Sequence, residues 1–139
     1  RCGESLRPPR PLVGSDSFAL DPVGVYGLQT PPYIMPHPNA YCAAVNFLTS
    51  YAPGGLVQAV QQLTGRPARW LGLERRGTLV EGSWADITVF TPDALRTNES
   101  FCEPRSFPSG IRHVLVNGGR AAAEGQSTSA RTGAVLRRR

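Results

Sequence analysis

The chain has 139 residues, 40% of them hydrophobic and 18% charged, with 15 Gly and 13 Pro; that suits one loop-rich domain and excludes a disordered acidic or basic tail. The longest unbroken apolar stretch, Ala40 to Val45, is too short to cross a bilayer or to form a signal-peptide core, so no membrane association is expected. Most of the formal charge of +5 sits on Arg131 and Arg137 to Arg139, without the aromatic interleaving, helix-turn-helix or finger spacing of a nucleic-acid binder, so no specific nucleic-acid partner is expected.

Pro11 to Val13 reads as a short strand opening into the loop Gly14-Ser15-Asp16-Ser17. Phe18 to Pro38 is dense in Gly, Pro and Asp and shows no period. Loops of that length inside compact domains are usually functional or disordered. From Asn39 or Ala40 to Tyr51, the apolar residues Tyr41, Ala44, Val45 and Leu48 recur at helical spacing until Pro53-Gly54-Gly55 stops the pattern. A second helix is predicted through Leu56, Ala59, Val60 and Leu63, with Gly65 as its C-terminal cap, and a third, short helix from Pro67 to Leu71.

After Gly72 the period changes. Thr78 to Gly82 and Ala85 to Phe90 read as strands separated by turn chemistry at Gly82-Ser83, and residues 91–110 as a Pro-punctuated loop. Ile111 to Val116 is a strand reaching the hairpin dipeptide Asn117-Gly118, and Arg120 to Ala123 is the returning strand. A basic tail follows, predicted to be disordered. All 15 basic residues are Arg, so no lysine chemistry is available. Cys2, Cys42 and Cys102 are too widely spaced for a zinc ribbon, and reduced thiols in a cytoplasmic protein are the expected state.

Three segments in this order resemble the D-aminoacylase branch (N-acyl-D-amino-acid deacylases) of the metal-dependent amidohydrolase superfamily. They are Val13-Gly14-Ser15-Asp16; Leu63-Thr64-Gly65-Arg66-Pro67-Ala68 leading through Leu71-Gly72-Leu73 and Arg76-Gly77 to Gly82-Ser83-Trp84-Ala85-Asp86-Ile87; and Gly110-Ile111-Arg112-His113-Val114-Leu115-Val116-Asn117-Gly118. The middle segment is the most specific for the superfamily. The last, with the ending from Arg131 to Arg138, is more like the D-aminoacylase branch.

The resemblance implies an α/β protein, the C-terminal portion of an amidohydrolase (β/α)8 barrel plus part of a small β-sandwich. On that reading residues 1–76 hold the last barrel strand, an active-site loop and outer helices, residues 77–130 belong to the sandwich, and residues 131–139 are the basic tail. The partner of these elements would be the remainder of the barrel, encoded upstream in the same longer chain.

Taken alone, Gly14-Ser15-Asp16 reads as a turn or a helix cap. The resemblance makes Asp16 the catalytic acid/base at the C-terminal end of a barrel strand, where barrel enzymes do their chemistry, with Ser15 and His37 as substrate-binding positions. His37, between Pro36 and Pro38, is either a substrate-facing or loop-fixing histidine or a surface residue held by two prolines. Family members carry an Arg where Asn39 stands, and the run Cys42 to Asn46 departs from their usual glycine, threonine, aromatic, proline, arginine pattern. His113 and Asp86 fall in predicted sandwich strands and read as structural.

Amide hydrolysis needs a nucleophile at neutral pH, which a bound zinc supplies by lowering the pKa of its water to about 7. It also needs a proton for the leaving amine, which a carboxylate can carry. A catalytic zinc takes about three protein ligands, and in this superfamily they include an H-x-H. This chain has two His, no H-x-H and no Lys, so it provides no metal site of its own and is expected to be inactive alone. The expected activity of the complete protein is Zn2+-dependent hydrolysis of a small N-acyl amino acid. The alternatives are a cyclic-amide hydrolase of the hydantoinase or dihydroorotase kind, which shares the middle segment, and a non-catalytic truncated remnant.

Overall fold

The computed structural model describes residues 12–15, 17, 37–52, 54–98, 100, 102 and 106–136. The described chain is mixed α/β, with three helices followed by a four-stranded antiparallel sheet. The expected strand at Pro11 to Val13 is not formed over residues 12–15, because a strand exists only against a neighbour that accepts its backbone hydrogen bonds, and no described element pairs with it. Of the long loop from Phe18 to Pro38, only His37 and Pro38 fall within the described residues.

Helix α1 spans Asn39–Asn46 and continues as a π-helical turn over Phe47–Tyr51. Cys42 and Val45, three residues apart, and then Phe47 carry its buried face. Thr49 Oγ1 donates to the Val45 carbonyl at 3.0 Å, satisfying a backbone acceptor where the ladder widens. Helix α2, Leu56–Leu63, buries Ala59 and Gln62 on one face, and α3 spans Gly65–Leu71. Gly65, expected to cap α2, instead opens α3. The boundary residue is Thr64, at φ −125° and ψ −86°, whose Oγ1 donates to the Val60 carbonyl at 2.8 Å. Pro67 falls in the first turn of α3, where its missing N–H has no intrahelical acceptor to lose. Gly72, at φ 68°, is the left-handed residue that ends α3.

Strand β1 is Ile87–Phe90, β2 is Ile111–Val116, β3 is Gly119–Ala123 and β4 is Gln126–Ser127, paired in that order. The β2–β3 hairpin turns at Asn117-Gly118, both with positive φ, as that dipeptide demands. The strand expected over Thr78 to Gly82 does not form. The segment is a loop with Leu79 77% exposed, because its β-branched character meets no partner strand. Between β1 and β2 a short 3₁₀ turn, Pro92–Ala94, leads to a backbone bridge between Arg96 and Ser109 that closes the Pro-rich loop.

Among the described residues, the helices meet the loops that flank the sheet. Tyr41 of α1 packs edge-on against Phe107, with ring centroids 5.3 Å apart, while the Cys42 thiol reaches the Ser106 carbonyl at 3.5 Å. On the other side, Gly77 lies so tightly on α3 that a Cβ there would come within 2.9 Å of Ala68 Cβ, the Thr64 carbonyl oxygen and Gly65 Cα. No described helix is long and apolar enough to cross a membrane.

Candidate functional site

An open groove of about 330 Å³ runs between the segment Val13 to Ser15 and the helical layer, a volume at the small end of ligand pockets. Asn39, Ala43 and Asn46 line it at spacings of four and three, one face of α1, and Phe47, Tyr51 and Leu63 form its apolar floor. Ser15, Asn39 and Asn46 thus place hydroxyl and amide groups on mostly apolar walls, chemistry suited to holding a small molecule with an amide or carboxylate.

The three sequence-derived site residues fall differently around this groove. Ser15 is exposed and lines it. Asp16, which follows directly, lies outside the described residues. His37 is exposed and does not line the groove. Its Nδ1 accepts a hydrogen bond from the Asn39 N–H at 3.2 Å, which fixes the ring to the start of α1. The sequence reading did not single out Asn39, Asn46 and Tyr51 as a set. The helical spacing of 39, 43 and 46 is their signal in the sequence, and it makes a wall only because residues 13–15 lie across from it.

A second constellation joins the motif segments. The Arg76 Nη1 donates to Asp86 Oδ2, and its Nη2 donates to Asn117 Oδ1 at 2.7 Å. The Asn117 backbone N–H donates to Asp86 Oδ1 at 2.8 Å, and its Nδ2 donates to the Thr132 carbonyl at 2.6 Å. Thr132 in turn donates from Oγ1 to the Val116 carbonyl at 2.6 Å. The Arg75 and Arg76 guanidinium carbons stand 5.5 and 5.2 Å from the Trp84 ring centroid, a cation–π arrangement.

Partial burial alone would push the Asp86 carboxyl up, but the Asn117 amide and the hydrogen bond and charge of Arg76 more than offset it and hold the group below its ordinary value. These hydrogen bonds do structural work: they tie the loop after α3 to the start of β1, to the hairpin turn and to the C-terminal segment. Asp86 and His113 lie in the sheet region, as the sequence suggested. Thr132, in the segment expected to be a disordered basic tail, is held there.

Among the described residues no three His, Cys, Asp or Glu side chains lie together as a metal site. His37 precedes α1 and His113 belongs to β2, so the described residues do not fit a catalytic zinc. Of the described cysteines, Cys42 is buried and Cys102 is exposed.

Residues 55–121 match the model of the amidohydrolase family. An N-acyl-D-glutamate deacylase of Alcaligenes xylosoxydans xylosoxydans is 36% identical over 131 residues, 91% of this chain and 24% of the relative. A D-aminoacylase of the same organism is 35% identical over 131 residues, 91% of this chain and 25% of the relative. Among solved structures, a D-aminoacylase variant in complex with copper chloride superposes with a TM-score of 0.70 and 32% identity, over 74% of this chain and 23% of that one. An N-acyl-D-glutamate deacylase from Bordetella bronchiseptica, complexed with zinc and a phosphonate mimic of the tetrahedral intermediate, gives 0.56 and 34%, over 66% and 21%. The chain therefore spans about a quarter of the length of the curated relatives it matches.

Proposed function

Residues 55–121 belong to the amidohydrolase family, and from that premise we propose that the chain is the C-terminal part of an N-acyl-D-amino-acid deacylase, hydrolysing a linear N-acyl amide to a carboxylate and a free D-amino acid. The observation that carries the proposal is the match of 91% of the chain, in one alignment, to an N-acyl-D-glutamate deacylase. The helices and the segment before them would belong to the barrel and residues 77–130 to the sandwich, with the rest of the barrel supplied by the complete protein. The zinc that activates water in the complete enzyme would be held by residues outside this chain.

In this reading Asp16 is the acid/base. Its carboxylate takes a proton from the attacking water and returns it to the amine nitrogen as the C–N bond breaks. Ser15 binds substrate beside it, in keeping with its place on the groove. His37 acts on the same substrate through the entry of α1, where its Nδ1 holds the Asn39 amide. Asn39, lining the groove where family members carry an Arg, offers amide hydrogen bonding in place of a positive charge.

The complete protein, assayed with zinc on N-acyl-D-glutamate, N-acyl-D-aspartate, neutral N-acyl-D-amino acids and hydantoins, tests this. Turnover of an N-acyl-D-amino acid that falls by at least about 100-fold in Asp16→Asn, with folding intact, is expected. Hydantoin turnover without deacylation would favour the cyclic-amide alternative, and no turnover of either class would favour a non-catalytic remnant. The 139-residue chain alone, with added zinc, is expected to be inactive.

A further inference from the structure

We infer that Asn117 is a site of spontaneous deamidation held in check by the clasp, so that opening the clasp converts it irreversibly and releases the C-terminal segment. This rests on the clasp alone and is independent of the deacylase reading.

The chemistry follows from the dipeptide. In Asn117-Gly118 the next residue has no side chain to shield its backbone nitrogen. The Gly118 nitrogen gives up its proton and forms a bond to Asn117 Cγ, the Cγ–Nδ2 bond breaks, and Nδ2 leaves as ammonia, closing a five-membered succinimide. Water then opens the ring at either carbonyl, leaving aspartate or isoaspartate at position 117. The reaction consumes one water and releases one ammonia and needs no other reactant.

The structure engages each atom the reaction requires. The nucleophile is occupied, because the Gly118 N–H donates to the Ala85 carbonyl at 2.9 Å. The electrophile is fixed at both ends, with Oδ1 accepting from Arg76 Nη2 at 2.7 Å and Nδ2 donating to the Thr132 carbonyl at 2.6 Å. These partners also settle the amide's orientation, since the guanidinium can only donate and the carbonyl can only accept. The backbone is held at φ 48° for Asn117 and 84° for Gly118 by the hairpin, with the Asn117 N–H on Asp86. Ring closure requires the side chain to leave both partners at once, so its rate follows the open population of the clasp.

The product has a structural consequence. A carboxylate at 117 has no donor for the Thr132 carbonyl, so oxygen faces oxygen where a hydrogen bond stood. It also sets a second negative charge beside Asp86, with Arg76 as the shared cation. Thr132 packs directly on Gly119, where a Cβ would overlap its side chain, and loss of the Asn117 bond leaves Thr132, among the described residues, its hydrogen bond to the Val116 carbonyl.

The full chain, incubated at mildly alkaline pH with and without urea and followed by peptide mass mapping and isoaspartate detection, tests the proposal. Asn117 is expected to deamidate at least about tenfold more slowly in the native chain than in urea. Arg76→Ala is expected to remove most of that protection. If Arg76→Ala has lost the sheet by circular dichroism, Thr132→Val decides instead, with a native rate at least about threefold above that of the unaltered chain. Tryptic cleavage after Arg131 is expected to rise in step with deamidation, and to be high from the outset in Asn117→Asp. Native deamidation at the urea rate, protection unchanged in the folded variant, or cleavage in Asn117→Asp no faster than in the unaltered chain would overturn the inference.

Discussion

Replacing Arg76 with Ala is the most direct test of what holds the motif segments together. The Arg76 side chain is 12% exposed and that of Asp86 34%, so the pair is neither a surface bridge nor a fully buried one. The substitution removes a charge-assisted hydrogen bond to Asp86 and a second bond to Asn117, and it takes a cation from the Trp84 face. Hydrogen bonds to charged groups contribute about 1.5–3 kcal/mol and neutral ones about 1. Solvent at Asp86 screens part of this, and the Asn117 N–H remains to the carboxylate, so a local loss of about 2–3 kcal/mol is expected.

Native-state hydrogen exchange reads that loss where it occurs. At about 1.4 kcal/mol per tenfold, protection of the Asn117 and Gly118 amides should fall by roughly 30- to 150-fold, while the amides of α2 change little. The matched control is Arg112→Ala. Arg112 pairs with Glu124 at 3.3 Å on side chains 58% and 63% exposed, and its loss should cost under about 1 kcal/mol. Equal effects of the two substitutions on the hairpin amides would refute the clasp as the structural tie.

Three further outcomes follow from the same geometry. The Asp86 carboxyl titrates lower in the folded chain than its ordinary value of 3.8, so the unfolded state takes up the proton first as pH falls. The stability it contributes is whole above about pH 4 and is lost as pH drops through the folded value, and Asp86→Asn should flatten that part of a stability-against-pH curve. Gly110 sits at φ 87° with a virtual Cβ 2.5 Å from the Ala94 carbonyl carbon and oxygen; Gly110→Ala should cost at least about 3 kcal/mol or abolish the β1–β2 pairing, read by the loss of sheet signal. Val57, Trp70 and Leu79 are 74%, 69% and 77% exposed, so the chain alone should bind a hydrophobic dye and associate with rising concentration. A monomer with no dye binding would count against that.

The parts of the fold that could be read from the sequence are those whose cause is local. Ile111 to Val116 and its turn follow from β-branched alternation and an Asn-Gly pair, and the helix from Asn39 to Tyr51 from apolar residues at spacings of three and four. The parts that failed depend on a neighbour. Thr78 to Gly82 has strand composition but no strand beside it, and Pro11 to Val13 faces the same want over its described residues. Gly65 was misplaced because a glycine after a helical run signals an end, whereas here Thr64 leaves helical geometry and Gly65 can start α3 immediately.

The clasp shows why a motif can be specific without being catalytic. Arg76, Asp86 and Asn117 each belong to a recognisable segment, yet their joint role spans 41 residues and needs the hairpin and the loop after α3 to meet. Their side chains bond to one another, and none of the three lines the groove beside α1. The residues that distinguish this chain from the family pattern, Asn39 and the run Cys42 to Asn46, lie instead on or beside the groove wall with Ser15. Fold and function are therefore tested by different substitutions here. Changes at Arg76 or Asp86 should move stability and leave substrate preference alone, whereas Asn39→Arg in the complete protein should shift preference among N-acyl-D-amino acids toward acidic side chains, by about tenfold in relative kcat/KM for one added charge-assisted hydrogen bond. An unchanged preference ratio in Asn39→Arg would remove Asn39 from the substrate-facing wall and, with it, the assignment of this groove to the substrate.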